Sequence, residues 1–354
     1  MKLNPLQIGD LIIPVPIIQG GMGVGISLSS LAGAVAKEGA VGVISAAQPG
    51  FSNPDFLTNT VETNLKALAY HIKKAKEISN HGIIGVNIMR AATHYKDYVD
   101  CCIENGADII ISGAGLPMEL PELIGNAPIK FAPIISSVKA AKVLLHRWDK
   151  RGQRMPDFVV IEGPKAGGHL GFSEKELLSG LENDYADYDE EVKNIITYVK
   201  SFESKYQRPF PVVFAGGVYD RSDIDHYMQL GCDGVQMATR FVATEECDAD
   251  IAYKMAYIHA KKDDIRIVKS PVGMPGRAIN NPFTELRKVE KEKITKCYKC
   301  LEKCNPATTP YCITEALIRA AKGDVKDSLL FCGANAYKVD KITTVKEIIK
   351  ELNA

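Results

Sequence analysis

Among the seven histidines of this 354-residue chain, His169 has the setting best suited to chemistry. It lies in Glu162-Gly-Pro-Lys-Ala-Gly-Gly-His-Leu-Gly171, so its imidazole rides on a glycine-rich loop that can approach a ligand closely. A histidine titrating near neutrality serves proton transfer or stabilisation of developing charge. His71, His81, His94, His146, His226 and His259 fall on helical patterns or their ends and read as structural or surface residues. Similar glycine-rich punctuation recurs at Gln19-Gly-Gly-Met-Gly23, Gly85-Val-Asn87, Ser112-Gly-Ala-Gly115, Ala215-Gly-Gly217 and Gln236-Met-Ala-Thr-Arg240. One such stretch is ordinary turn chemistry, whereas six of them call for a ligand.

A second constellation is Cys297-x2-Cys300-x3-Cys304-x7-Cys312. Spacing this compact lets thiolates converge on a metal or an iron–sulfur cluster. A structural zinc site and four reduced thiols in a packed helical hairpin stand beside that reading. Cys101, Cys102, Cys232, Cys247 and Cys332 read as small core residues.

The elements that must position these groups alternate. Short β-branched runs at Pro16–Gln19, Val41–Ser45, Ile83–Ile88, Asp108–Ser112, Lys130–Ile135, Phe158–Glu162, Val212–Ala215 and Gly234–Thr239 are separated by longer amphipathic stretches. In Ser137–Arg151, for example, Val138, Ala141, Leu144, Leu145 and Trp148 share one helical face. Most of the runs are apolar throughout, as strands buried on both faces are. Eight βα units in about 250 residues predict a TIM (β/α)8 barrel; a doubly wound sheet gives similar local signals. The barrel is expected over residues 1–264, and 265–354 as a C-terminal helical, cysteine-containing extension packed on it. The acidic stretch Glu182–Glu191 reads as a solvated insertion ahead of the sixth helix.

In a TIM barrel the working residues sit at the carboxyl ends of the strands, where every one of these glycine motifs falls. Loops after strands seven and eight commonly bind phosphate through backbone N–H groups, which predicts such a site at Gly216, Gly217, Ala238 and Thr239. With no Walker lysine motif, that geometry suits FMN, its ring over the barrel mouth near Gly20, Gly21 and Met22, with Asn87 or Gln19 offering hydrogen bonds. A barrel that binds a phosphorylated small molecule without redox chemistry is an alternative.

Forty-three basic residues balance forty-three acidic ones, so no global field favours nucleic acid or an anionic membrane. No apolar run approaches the ~20 residues that span a bilayer. Met1 to Asp10 lacks the basic-then-apolar order of a signal peptide, so a cytoplasmic protein is expected, with homo-oligomerisation left open.

The motifs Gln19-Gly-Gly-Met22, Gly85-Val-Asn87, Glu162 through Gly171, Ala215-Gly-Gly217 and Gln236-Met-Ala-Thr-Arg-Phe241 resemble those of the nitronate monooxygenases, formerly 2-nitropropane dioxygenases, over about residues 5 to 280. Ala-Gly-Gly-His-x-Gly is the specific element, whereas Ala-Gly-Gly alone is weak. The resemblance implies an FMN-containing TIM barrel that oxidises alkyl nitronates with O2. It also implies that His169 matches the family's active-site histidine. Cofactor contacts carry over to Gly21, Met22, Asn87, Glu162, Gly167, Gly217, Gln236, Met237, Ala238 and Thr239. The same motifs occur in a sister group, the flavin-dependent enoyl-acyl-carrier-protein reductases, whose partners are NAD(P)H and acyl carrier protein. Glu162 leans toward that group, since many monooxygenases carry Gln there. Ala238 replaces a usual glycine, and Lys165 stands where an acidic residue is common.

Overall fold

Alternation of side chains across eight short strands builds the centre of this molecule. The structure, a computed structural model, describes residues 2–354. The strands are β1 (Ile17–Gln19), β2 (Gly42–Ser45), β3 (Ile84–Met89), β4 (Ile109–Gly113), β5 (Lys130–Ile135), β6 (Val159–Glu162), β7 (Val212–Ala215) and β8 (Gly234–Met237). All neighbours run parallel, from β2 through β8 and on to β1. The ring closes where Gln19 N–H donates to the Val41 carbonyl at 2.9 Å and Val41 N–H to the Ile17 carbonyl at 3.0 Å. This is a TIM barrel, and the doubly wound alternative is excluded because a doubly wound sheet keeps two free edges.

The strands turn successive residues to opposite faces. Ile18, Val43, Ile109, Ile111, Ala132, Val160 and Val213 pack together inside the barrel. Their neighbours Ile17, Ile44, Ile110, Phe131, Val159, Ile161, Val212 and Phe214 pack outward against the helices. An antiparallel hairpin, Leu6–Ile8 with Leu11–Ile13, adds Leu6, Ile8 and Ile13 to the interior cluster. Its turn lies at the start of β5, where Lys130 pairs with Asp10 at 2.5 Å, so the hairpin plugs the amino-terminal end.

The helix predicted from Ser137 is Val138–Lys150, with Ser137 as its N-cap accepting from Ala140 N–H at 3.1 Å. Ala141, Leu144, Leu145 and Trp148 are its buried face. Thr239, expected to end β8, opens a helical turn instead, Thr239–Val242. The acidic stretch is also not all insertion, because helix Tyr188–Lys200 starts inside it and uses Asp189, Glu190 and Glu191 in its first turn. Acidic side chains complement the positive end of the helix dipole there.

After the barrel, two antiparallel strands, β9 (Ile265–Lys269) and β10 (Pro275–Ile279), add to the short strand Gly168–His169. Residues 291–312 then cross the barrel mouth without a regular helix. They are stitched to the loop after β3 by Thr93 N–H to the Cys300 carbonyl (3.2 Å), Glu302 N–H to the Ala91 carbonyl (3.0 Å) and the Arg90–Glu302 ion pair. The final helix, Val345–Leu352, returns to bury Val345, Ile348, Ile349 and Leu352 in the main core with the barrel's outer face.

Candidate functional site

All the glycine-rich strand ends open on one cavity of about 540 Å³ at the carboxyl end of the barrel. Its wall contains Gly21 and Met22 after β1, Asn87 of β3, and Glu162, Gly167 and His169 from β6 and its loop. Gly216 and Gly217 after β7 and Gln236, Met237, Ala238 and Thr239 at β8 complete it. The twelve residues singled out from the sequence are thus brought together.

Several of these groups have no hydrogen-bond partner among the described residues. The backbone N–H groups of Gly216, Gly217, Ala238 and Thr239 donate to no acceptor among the described residues. The side-chain amides of Asn87 and Gln236 are unspent as well, though both line the cavity. Backbone donors left unpaired at a concave wall are the groups that bind phosphate. Gly217 shows why the wall must be glycine. Its φ is +86°, and a Cβ there would lie 2.7 Å from Lys165 Cβ. A Cβ on Gly21 would fall 2.4 Å from Asn87 Cβ. These residues fit FMN: amides for the phosphate, and carboxamides and close backbone for the ring.

Gln19, expected to help with the ring, does not. It is fully buried, and its amide is consumed by the Gly20 carbonyl (2.5 Å), the Val43 carbonyl (3.2 Å) and Val43 N–H (3.0 Å). It holds β1 to β2, leaving Asn87 as the available group.

His169 differs from its expected state. Burial pushes its pKa down to about 4, so the imidazole is neutral at pH 7. Nε2 lies 2.7 Å from Ser270 Oγ, and the ring stands edge-on to Phe331 with centroids 4.9 Å apart. Nδ1 has no partner among the described residues and remains for a ligand. Glu162 carries the near-neutral titration instead, because burial raises its carboxyl to about 7. One oxygen accepts Gly171 N–H at 2.9 Å, and buried Arg277 beyond it moderates the rise.

Lys165, an unexpected cation at the entrance, is paired with exposed Asp184 at 2.6 Å, so the rim carries no net charge from it. His94 lies on that rim beside Asp97, although the sequence placed it only at a helix end. The larger omission is the roof. Val272, Met274, Tyr298, Cys300, Leu301, Thr314, Leu317, Phe331 and Cys332 of the extension all line the cavity. Ser270 could have been found, because it opens the Ser-Pro-Val-Gly turn that starts this region. The rest carry no local signal of a ligand.

Among the described residues no three His, Cys, Asp or Glu side chains stand close enough to share one metal ion. No helix among them is long and apolar enough to cross a membrane.

A closed parallel barrel with unspent donors converging on a cavity at its strand ends defines a TIM-barrel protein with a small-molecule site. The chain belongs to the nitronate monooxygenase family, whose model, described as "Nitronate monooxygenase", matches residues 4–354. A probable nitronate monooxygenase of Staphylococcus saprophyticus is 29% identical over 309 residues, covering 80% of this chain and 80% of the relative. One from Staphylococcus aureus is 26% identical over 303 residues, 78% of each. Among solved structures, FabK from Thermotoga maritima superposes with a TM-score of 0.69 at 25% identity, over 95% of this chain and 91% of that one. The nitroalkane oxidase of Streptomyces ansochromogenes, at 19% identity, shares the fold with a TM-score of 0.69, over 96% and 95% of the two chains.

Proposed function

We propose that this chain is an FMN-dependent oxidoreductase that oxidises alkyl nitronates with O2. The observation that carries the reading is the pairing, in one cavity, of four unspent backbone amides at Gly216, Gly217, Ala238 and Thr239 with the neutral His169. FMN, when bound there, would supply the two-electron redox chemistry between the nitronate and O2. The chain's own residues do the rest. The four amides hold the phosphate, and Asn87 and Gln236 offer hydrogen bonds to the ring. His169, fixed at Nε2 by Ser270, presents Nδ1 to the substrate and accepts or returns a proton there without carrying a standing charge. The apolar roof, including Leu301, Leu317 and Phe331, excludes water and strengthens these interactions.

A second reading, flavin-dependent enoyl reduction by NAD(P)H, is favoured by Glu162, the carboxyl that the sister group often carries at this position. Anaerobic mixing of the flavin-loaded protein with a nitronate, and separately with NADH and NADPH, distinguishes the two. Bleaching by the nitronate alone supports the proposal, and bleaching by the nicotinamide alone replaces it with the second reading. A protein that purifies without flavin and takes up none removes both in favour of a non-redox barrel.

A further inference from the structure

The glycine-rich turn Ser112-Gly-Ala-Gly115 has no part in the site chemistry above, yet a second cavity of about 300 Å³ opens beside it. One wall of this cavity is the loop after β4, which Ala114 (φ +54°) and Gly115 (φ +120°) turn sharply. The facing wall belongs to the extension and contains Pro271, Val272, Leu301 and Cys304. Arg90 and Ala91, from the loop after β3, help to complete the lining.

Two observations join this space to the cavity that contains His169. Ala114, Gly115, Leu116, Val272 and Leu301 line both, so the two share a wall. Val272 also stands two residues after Ser270, whose Oγ lies 2.7 Å from His169 Nε2 and accepts Val272 N–H at 3.4 Å. The second cavity therefore begins next to the group assigned above to proton transfer.

The lining selects the chemistry of an occupant. Arg90 is neutralised from two sides, by Glu119 at 2.5 Å and Glu302 at 3.0 Å. Lys303 is exposed and keeps its ammonium in water. No uncompensated buried charge is left in this lining to hold an ionic tail. What the walls offer instead is hydrocarbon: Ala91, Leu116, Pro271 and Val272 are apolar and only half-buried. Such surface gains when an apolar group covers it.

We propose that the second cavity is a subsite for the tail of the substrate, an alkyl chain that runs past Val272 and Leu301 while its reactive head stays beside His169. The inference rests on the nitronate reading and narrows the substrate class to nitronates with extended alkyl chains.

The test compares ethyl, butyl, hexyl and octyl nitronates on the flavin-loaded protein and on Cys304→Trp, a substitution that fills the second cavity from a residue absent from the lining of the first. In the parent, kcat/KM should rise about threefold to fourfold with each added methylene, the gain when a CH2 leaves water for an apolar wall. Cys304→Trp should cost octyl nitronate about tenfold or more, mostly through KM, and far more than it costs ethyl nitronate. A flat or falling series in the parent, or an equal loss for the ethyl and octyl compounds, would overturn the subsite. Binding of linear alkanols, followed by isothermal titration calorimetry on the same two proteins, needs no turnover. Affinity should climb with chain length in the parent and level off early in the variant; equal climbs in both would also overturn the subsite. Should no nitronate bleach the flavin, the proposed reaction fails and the alkanol series decides the subsite by itself. If Cys304→Trp does not fold, the rise or flatness of the parent's two series decides.

Discussion

At His169 the glycine-rich loop and the burial act on different properties of the same side chain: the loop sets its position, and the burial sets its charge. Held at Nε2 by Ser270 and kept neutral, the imidazole can exchange a proton with a ligand at Nδ1. His169→Ala should leave cofactor content intact and lower turnover of a nitronate by about 10²–10⁴-fold, the usual contribution of a positioned acid–base group. Steady-state kinetics with a matched flavin absorbance spectrum measures this, and unchanged kcat/KM would remove His169 from the mechanism. Glu162 makes a separate demand. Its folded pKa is near 7 against an ordinary 4.5, so between those values the folded protein keeps a proton that the unfolded chain has released. Its contribution to stability is therefore fully present below about pH 4.5 and is lost as pH rises through 7. His169, shifted down, works oppositely: its contribution is present above about pH 6.5 and lost as pH falls through 4. Glu162→Gln keeps an acceptor for Gly171 N–H and removes only the first slope. Urea midpoints from pH 4.5 to 8 should then show the variant gaining on the parent as pH rises; parallel curves would refute the shift.

At the scale of elements, the loop after β6 is held by the extension rather than by its own strand. Arg277 of β10, 3% exposed, donates to the Ala166 carbonyl and reaches Tyr185 Oη at 3.4 Å, while β10 pairs with Gly168 and His169. No carboxylate lies within ion-pair distance of its guanidinium among the described residues, so its work here is hydrogen bonding to the loop. Arg277→Met should cost about 1–3 kcal/mol, the penalty of leaving buried acceptors unpaired. It should also expose the loop, so that limited trypsin digestion cuts after Lys165 faster than in the parent. Equal cleavage rates would show that the strand pairing alone holds the loop.

For the molecule as a whole, the extension is part of the barrel's stability as well as its roof. Helix Val345–Leu352 is capped by Thr344, whose hydroxyl accepts Glu347 N–H at 3.2 Å, and its apolar face enters the same core as the barrel helices. Ile348 is fully buried there. Ile348→Ala should destabilise the whole protein by about 2–5 kcal/mol, the range for emptying a large aliphatic side chain from a core. Chemical denaturation followed by far-UV circular dichroism checks it, and a single cooperative transition at lower denaturant is the expected form. A separate early transition with the barrel unaffected would make the extension an independent unit.

The strands were legible because a barrel strand records its environment locally. Runs such as Val159–Ile161 and Val212–Ala215 are apolar on both faces; the first strand starts one residue later than expected and the second has the expected bounds. The glycines at the strand ends were legible for a related reason: lacking a Cβ is a property of the residue itself. Charge state and partnership are not. Gln19 and Asn87 both end in a carboxamide beside a glycine-rich turn, yet one is spent on Val43 and the other faces the cavity. Ser270 reaches His169 across 101 residues of chain, and the Cys300 carbonyl accepts from Thr93 N–H in the loop after β3, 207 residues away in sequence, farther than any local periodicity reads. Residue type and spacing therefore determined the barrel, the glycines at its mouth and His169, while Glu162, Gly167, Gln236 and Met237 were singled out only through the family resemblance. Only the tertiary structure decided that the imidazole is neutral, that the carboxyl at Glu162 is the group titrating near 7, and that the extension roofs the cavity. Desolvation and long-range contact depend on what the folded chain brings alongside a residue, and no stretch of sequence around that residue records it.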